Sequence, residues 1–195
     1  MIPNLAVVVS HSVSNFDQWK RVFDSDQTNR KQAGILGHHI NCGADDHNQL
    51  AVYLPGTDRA QLEAFLANPE LKATMSRAGV TSAPSIKWVQ PVEVRYLGDR
   101  ATAAAIIAHE VEDFAAWKAV YDSLEGARQR AGIIGSAVNR GLDNPNQILV
   151  YHQAETRAEL EAFFASSELK SAMQKGGVKG APDIRFVDAL PGATY

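Results

Sequence analysis

The chain contains an internal duplication, and this feature limits the folds that are open to it. With a shift of 98 positions, residues 11–90 align with residues 109–188 without a gap, and 37 of the 80 aligned residues are identical. The repeat is longer than the segments of roughly 20 to 50 residues that stack into solenoids. We therefore predict two copies of one small domain, residues 1–94 and 105–195, joined by a connector at residues 95–104.

Both copies predict the same order of helices and strands. Three consecutive valines at residues 7–9 indicate a first strand. Asn15 and its counterpart Asp113 are suited to capping the helix that follows, and Gly34 and Gly132 are suited to ending it in a left-handed conformation. Two short strands come next, then a second helix that breaks and restarts, and then a final strand. The predicted order is therefore βαββαβ in each copy.

This order favours the α+β class. A four-stranded antiparallel sheet with both helices on one face is the ferredoxin-like solution for βαββαβ. Such a sheet has a second, apolar face that has to be covered. Because the other copy belongs to the same chain, we expect two ferredoxin-like repeats that pack sheet to sheet as an intrachain α+β barrel. We expect this chain to be a monomer, since the duplication makes it a pseudo-dimer.

The composition excludes two kinds of partner. A formal net charge of −3 argues against a nucleic-acid surface, which needs clustered Lys and Arg. The sequence has no apolar run of the 18 or so residues that a membrane-spanning helix needs. The first residues lack the basic start of a secretory signal, and one cysteine, Cys42, cannot form an internal disulfide. We therefore expect a cytoplasmic protein with no nucleic-acid or membrane partner.

Four segments of the first copy resemble a known family. They are Asn15-Phe16-Asp17-Gln18-Trp19-Lys20, Arg30-Lys31-Gln32-Ala33-Gly34-Ile35-Leu36-Gly37-His38, Asp45-Asp46-His47-Asn48 and Glu70-Leu71-Lys72-Ala73-Thr74-Met75. They are similar to the dimeric α+β barrel superfamily, in particular to its antibiotic biosynthesis monooxygenase-like or cyclase-like group. The resemblance covers each copy in turn and implies the fold. It leaves the chemistry open, because the superfamily contains cofactor-free monooxygenases, haem-degrading enzymes, isomerases and cyclases.

Three histidines are the candidate catalytic residues. Strand alternation places His11, and likewise His109 in the second copy, on the apolar face of the first strand. A neutral imidazole beside a cavity could act as a base or orient a substrate oxygen. His38 matches a histidine that the resembled group carries after the helix-ending glycine. The alternative for His11 and His109 is a buried histidine that only stabilises the core, and the alternative for His38 is a histidine that faces solvent.

Five further side chains are candidates for binding a ligand. Two tyrosine hydroxyls could bond a ligand carbonyl or phenolate, and two aromatic rings of the last strands could form the wall of an apolar pocket. A histidine of the second copy stands where the first copy has Leu54, and Ser136 stands where the first copy has His38. The two copies are thus chemically unequal. These ligand-binding candidates are Tyr53, Tyr151, Trp88, Phe186 and His152.

We expect neither a cofactor nor a metal ion. The sequence has no Gly-rich phosphate loop, no GxSxG segment and no HExxH segment. His38, His39 and His47 have spacings that fit strands and turns better than a metal site. Haem-degrading members of the resembled superfamily usually supply a histidine from a helix, and neither copy has a histidine in its predicted helices. The resemblance implies that the cofactor-free oxygenases use the substrate's own electron-rich ring to activate oxygen.

The sequence therefore predicts a small-molecule-handling α+β barrel with a small hydrophobic or aromatic ligand. One hypothesis is a cofactor-independent monooxygenase or cyclase that acts on an aromatic or polyketide-like compound. The alternative is a non-catalytic ligand-binding or stress-related barrel protein. A purely structural duplicate without a site is a third possibility, which the unequal histidines disfavour.

Overall fold

The computed structural model describes residues 3–95 and 103–195. The chain divides into two compact units. Unit 1 contains Pro3–Trp88 together with Leu190–Tyr195, and unit 2 contains Val89–Ala189. Each unit has the βαββαβ order, so the predicted α+β class and the two ferredoxin-like repeats are confirmed.

The sheet of unit 1 has the strand order β2-β3-β1-β4, which is the ferredoxin-like order. Strand β1 pairs antiparallel with β3, and β3 pairs antiparallel with β2. Its elements are β1 (Leu5–Ser12), α1 (Phe16–Ser25), α2 (Gln27–Gln32), β2 (Gly37–Gly43), β3 (Gln49–Gly56), α3 (Arg59–Ala67), α4 (Pro69–Arg77) and β4 (Ser85–Arg95).

Unit 2 repeats this sheet with the order β6-β7-β5-β8. All three strand contacts are antiparallel. Its elements are β5 (Ala103–Val111), α5 (Phe114–Ser123), α6 (Glu125–Arg130), β6 (Ile133–Gly141), β7 (Gln147–Ala154), α7 (Arg157–Phe164), α8 (Ser167–Lys175) and β8 (Val178–Ala189).

The compact units differ from the predicted repeat boundaries of 1–94 and 105–195 in two segments, the end of β4 and the residues that follow β8. The end of β4, from Val89 to Arg95, pairs with β6 and belongs to unit 2. The short strand β9 (Ala193–Thr194) pairs with β2 and belongs to unit 1. Each segment satisfies backbone groups along an edge that would otherwise be open. Most of the predicted connector at 95–104 lies outside the described residues.

Local sequence explains where the helices start and stop. Asn15 and Asp113 accept hydrogen bonds from the backbone N–H groups of the first turn, as predicted. The first helix does not run unbroken to Gly34, however, because α1 ends at Ser25 and α2 begins at Gln27. The Ser25 hydroxyl donates to the Val22 carbonyl at 2.7 Å and so competes with the helical hydrogen bonds. Ser123 does the same at the end of α5.

Each unit has its own apolar core between one face of the sheet and the helices. In unit 1 the buried residues of β1 and β3 pack against Trp19 of α1 and Leu62 of α3. In unit 2 the equivalent strands pack against Trp117 and Leu160. The two cores therefore have the same framework, and differences between the units come from individual side chains.

Candidate active site

Unit 1 contains a cavity between its sheet and its helices. Strands β1 and β3 contribute Val9, His11, Val52 and Leu54, and the rest of the wall comes from the helical side, including Asp26 and Arg30. Its volume is about 70 Å³. One water needs roughly 10–15 Å³, and an apolar cavity of about 150 Å³ takes up benzene. The cavity as it stands therefore has room for a molecule smaller than one aromatic ring.

His11 is the histidine that lines this cavity. It lies on the same face of β1 as Val9, with 7% of its surface exposed, and its ring is 5.7 Å from that of Trp19. Neither ring nitrogen has a hydrogen-bond partner within the described chain. Burial lowers the pKa of His11 from 6.5 to about 4. His11 is therefore a neutral imidazole at physiological pH, with an acceptor nitrogen that no described residue bonds.

Arg30 brings a positive charge to the same cavity. Only 2% of its surface is exposed, and its guanidinium lies 3.7 Å from the centre of the Phe23 ring. Nη1 donates to the Phe23 carbonyl at 2.5 Å, and Nε donates to the Tyr195 hydroxyl at 2.7 Å. Among the described residues no carboxylate lies within ion-pair distance of Arg30. Sequence analysis missed this residue, although its identity with Arg128 in the second copy was a usable signal.

His38 is buried beside the cavity wall without lining the cavity. Its Nδ1 lies 2.8 Å from the Tyr195 hydroxyl, and its ring meets the edge of the Phe23 ring at 5.0 Å. Burial, and then the charge of Arg30, lower the pKa of His38 to about 4. Its neighbour His39 is exposed on the other face of β2. Any effect of His38 on a ligand in the cavity would thus be indirect, through Phe23 or Tyr195.

Tyr53 and Tyr151 lie away from the cavity. Tyr53 pairs with Val8 on β1, so it faces the side of the sheet opposite His11. Burial raises the pKa of Tyr53 above its usual value and raises that of Tyr151 to about 12. The Tyr151 hydroxyl accepts a hydrogen bond from Gln153 Nε2 at 3.3 Å. Both phenols are protonated at neutral pH, and any ligand they bind lies on that other face.

Trp88 and Phe186 are each covered by an arginine from a neighbouring helix. The guanidinium of Arg59 lies 5.2 Å from the Trp88 ring, and that of Arg157 lies 4.4 Å from the Phe186 ring. Trp88 packs against the unit 1 core without lining the cavity. These contacts give both rings a packing role, and a role in ligand binding stays a prediction.

His109 repeats the environment of His11 in unit 2. Its ring is 5.4 Å from that of Trp117, and neither nitrogen has a hydrogen-bond partner within the described chain. Burial lowers the pKa of His109 to about 4.

His152 occupies the position that Leu54 has in the cavity wall of unit 1. Its ring stacks nearly parallel to Tyr121 at 6.2 Å and meets Phe163 edge-on at 5.9 Å. Burial, and then the charge of Arg128, lower the pKa of His152 to about 3. The structure thus places this predicted ligand-binding residue within an aromatic cluster of unit 2.

Two classes of partner can be compared with the structure directly. Within residues 3–95 and 103–195, no group of three or more His, Cys, Asp and Glu side chains is arranged to hold a metal ion. No helix in that part of the chain is long and apolar enough to cross a membrane.

Comparisons with known proteins agree on the fold. No family model matches the sequence, and no protein with a curated description matches it. Solved structures do match over nearly the whole chain. An anthrone oxidase-like protein has 14% identity and a TM-score of 0.71, with 98% of this chain and 93% of that chain covered. A presumed monooxygenase from Lactobacillus acidophilus has 12% identity and a TM-score of 0.65, with 98% and 96% covered.

A third match is a ferredoxin-fold protein from Listeria monocytogenes, described as uncharacterized and related to antibiotic biosynthesis monooxygenases. It has 7% identity and a TM-score of 0.56, with 96% of this chain and 95% of that chain covered. At these identities the likeness shows the fold, and it agrees with the resemblance found in the sequence. Chemistry has to be argued from the site.

Proposed function

We propose that unit 1 carries a cofactor-independent monooxygenase- or cyclase-like activity on a small aromatic compound with an acidic C–H or O–H group. The observation that carries this proposal is His11, a buried imidazole that lines an apolar cavity with both nitrogens unbonded. Buried polar groups are nearly always hydrogen-bonded, and each exception calls for an explanation, of which a catalytic role is one. The anthrone oxidase-like neighbour supports this class of substrate.

The first step would be proton transfer from the substrate to His11. A base with a pKa of about 4 is weak towards a phenol or enol with a pKa near 10, and the difference corresponds to roughly 8 kcal/mol. Arg30 lines the same cavity without a carboxylate partner in the described chain, so its charge would stabilise the substrate anion. The anion would in turn favour protonated His11, because a neighbouring negative charge raises the pKa that burial lowers.

The oxidation needs only dioxygen as co-reactant. A substrate carbanion reacts with O₂, and a CH₂ group becomes a carbonyl while O₂ supplies the carbonyl oxygen and one molecule of water. Both hydrogens of the CH₂ group end in that water, so His11 returns to its neutral state. The role of the protein would be to hold the anion in a mainly apolar cavity and to return the proton.

A substrate of two or three rings requires the cavity to enlarge. Leu71 and Met75 of α4 form part of its wall, and no residue of α4 is fully buried. Methionine and leucine side chains that are only partly buried can move at low cost. We therefore propose that a larger substrate enters by displacing α4 side chains.

The alternative function is ligand binding without turnover. The low pKa of His11 favours it, because a weak base can orient a ligand hydroxyl without removing its proton. In that case the cavity would bind aromatic compounds and return them unchanged.

Oxygen uptake with anthrone as the probe distinguishes the two functions. We expect protein-dependent uptake of one O₂ per anthrone, above the spontaneous rate in the same buffer with a chelator present. His11→Gln should lower this rate at least about 100-fold, the usual range for loss of a general base. The exposed His47 on the β2–β3 turn gives the matched control, and His47→Gln should keep the rate of the unaltered protein.

His109→Gln tests which unit is active. A rate close to that of the unaltered protein supports unit 1 as the site, whereas a loss of about half of the rate in each single variant would assign the activity to both units. Anthrone binding without oxygen uptake would instead support the ligand-binding alternative. Full activity in His11→Gln would remove His11 from the mechanism.

A further inference from the structure

Segment 190–195 lies along the edge of β2 in unit 1. The Leu190 N–H donates to the Ile40 carbonyl at 3.0 Å, and the Tyr195 N–H donates to the Leu36 carbonyl at 2.8 Å. The fit is close, since a Cβ atom on Gly37 would collide with the backbone of Ala193. These backbone hydrogen bonds position the Tyr195 side chain beside Arg30 of α2.

The Tyr195 hydroxyl joins two buried groups that the sequence does not bring together. It accepts from Arg30 Nε at 2.7 Å and lies 2.8 Å from His38 Nδ1. Arginine can only donate, so the hydroxyl accepts from Arg30 and can donate its own proton to His38. In that arrangement His38 Nδ1 is the acceptor and the ring proton is on Nε2. The hydrogen bonds then run in one direction, from Arg30 through Tyr195 to His38.

The second copy has no such hydroxyl from this position. With the shift of 98, Tyr195 aligns with Leu97, which has no polar group and lies outside the described residues. The equivalent arginine, Arg128, bonds the Tyr121 carbonyl at 2.6 Å, but its buried Nη2 has no partner within the described chain. Of the two buried arginines, only Arg30 has its Nε bonded to a tyrosine hydroxyl in the described structure.

We infer that Tyr195 is a positioning residue of the unit 1 cavity, and that by fixing the Arg30 guanidinium at the cavity wall it makes the cavity prefer a ligand whose polar group is an anion. The inference rests on the proposed site in unit 1 and adds the charge of the ligand and the residue that sets it. A guanidinium held by two hydrogen bonds loses little freedom when a third partner binds. A mobile guanidinium would rotate away from the cavity or bind water, and the preference of the cavity for an anion would decrease.

Acetate and acetamide are suitable probes, because they have nearly the same shape, differ in charge and fit a cavity of about 70 Å³. Binding is followed by NMR through the Arg30 Nε and His11 ring resonances of the ¹⁵N-labelled full chain. We expect acetate to bind at least about tenfold more tightly than acetamide. Tyr195→Phe should reduce this ratio about fivefold or more, with the Arg30 Nε proton exchanging faster. Tyr121→Phe, which removes a buried phenol from unit 2, should leave the ratio unchanged.

Two further measurements keep the inference testable if Tyr195→Phe folds poorly. Gly37→Ala displaces the segment while retaining the hydroxyl, and it should also lower the acetate-to-acetamide ratio. In the unaltered protein the His38 ring proton should be on Nε2. An unchanged ratio in folded Tyr195→Phe, or a ring proton on His38 Nδ1, would overturn the inference. Anthrone oxidation is a separate readout, so an acetate preference without oxygen uptake would refute the proposed function and leave the role of Tyr195 standing.

Discussion

Each unit contains a series of aromatic side chains in ring contact. The first three rings are equivalent in the two units, and the later ones differ. In unit 1 the series runs from His11 through Trp19 and Phe23 to His38 and Tyr195. In unit 2 it begins with three equivalent rings and then turns to a different strand, through His109, Trp117, Tyr121, His152 and Phe163. The fourth ring is a histidine in both, but it comes from β2 in unit 1 and from β7 in unit 2.

This exchange gives the two interiors different side chains. In unit 1 the β3 position carries Leu54, which lines the cavity together with His11 and Arg30. In unit 2 an imidazole at that position packs on Tyr121 and Phe163. Duplicated domains with the same backbone can thus diverge through two strand positions, because each position faces the same small volume between sheet and helix.

The loss of stability in acid is the largest expected effect, and it should be similar in the two units. His11, His38 and His109 have pKa values lowered to about 4 and His152 to about 3, against 6.5 when unfolded. Between these pKa values the unfolded chain binds more protons than the folded chain. The stability that the buried neutral histidines contribute is therefore fully present above pH 6.5 and is lost as the pH falls through about 4. Each histidine should contribute on the order of 3 kcal/mol to that loss. Urea unfolding at pH 7.5 and 4.5 measures it, with His47→Gln as control.

If the loss has this origin, His11→Gln and His109→Gln should each reduce the acid sensitivity of their own unit by a similar amount. Fluorescence of Trp19 and Trp117 in single-tryptophan variants reports on the units separately. An acid sensitivity that stays the same in both variants would show that other groups control it.

The two buried arginines give the next largest contrast. Arg30→Met removes hydrogen bonds to Tyr195 and Phe23 and should lower the free energy of unfolding by about 3 kcal/mol. Arg128→Met removes a guanidinium whose Nη2 has no partner within the described chain, so it should change the value by less than about 1 kcal/mol. Chemical denaturation measures both values. If the two variants lose the same free energy of unfolding, the stabilising effect that we assign to the Arg30–Tyr195 hydrogen bond is contradicted.

A smaller effect is expected when His152 of unit 2 is replaced by leucine, the residue that unit 1 has at the equivalent position, Leu54. His152→Leu removes a buried Nδ1 that has no partner within the described chain, and it should raise the free energy of unfolding at pH 7.5 by about 1 kcal/mol. A loss of stability would mean that the imidazole bonds a group that the aromatic contacts do not reveal. Leu54→Ile provides a control for altering a leucine at the same place in unit 1.

The smallest effect concerns the second helix of each repeat. Thr156 and Glu159 form a complete capping box, whereas Asp58 caps α3 through its bond with the Gln61 N–H. Thr156→Ala should cost about 1 kcal/mol, and Glu159→Ala, which removes only the reciprocal half of the box, about 0.5 kcal/mol. Thermal unfolding measures both, and a larger loss for Glu159→Ala would reverse the assignment.

Much of the fold could be predicted because its signals are local. The caps at Asn15 and Asp113 are formed by side chains that bond a backbone group three residues away. The restart of the second helix at Asn68–Pro69 follows from a proline at the first helical position. The break after Ser25 was missed, although it is also local, because a serine inside a helical pattern is a weak signal.

The candidate site was predicted only in part. His11 was found because strand alternation fixes the face on which it lies. Arg30 was missed because a charged residue on a helix is usually exposed, and its burial depends on contacts with Phe23 and Tyr195. Tyr195 is 165 positions from Arg30 in sequence, so no local pattern relates the two residues.

The sequence by itself determined the duplication, the βαββαβ order and the inward face of His11, because periodicity and capping act over a few residues. Tertiary structure decided which histidine lines a cavity and which arginine is held by a hydroxyl. It also decided that residues 89–95 and 190–195 pair with the edges of β6 and β2. These outcomes depend on burial and hydrogen bonds between residues far apart in the chain, and only the folded backbone brings those residues into contact.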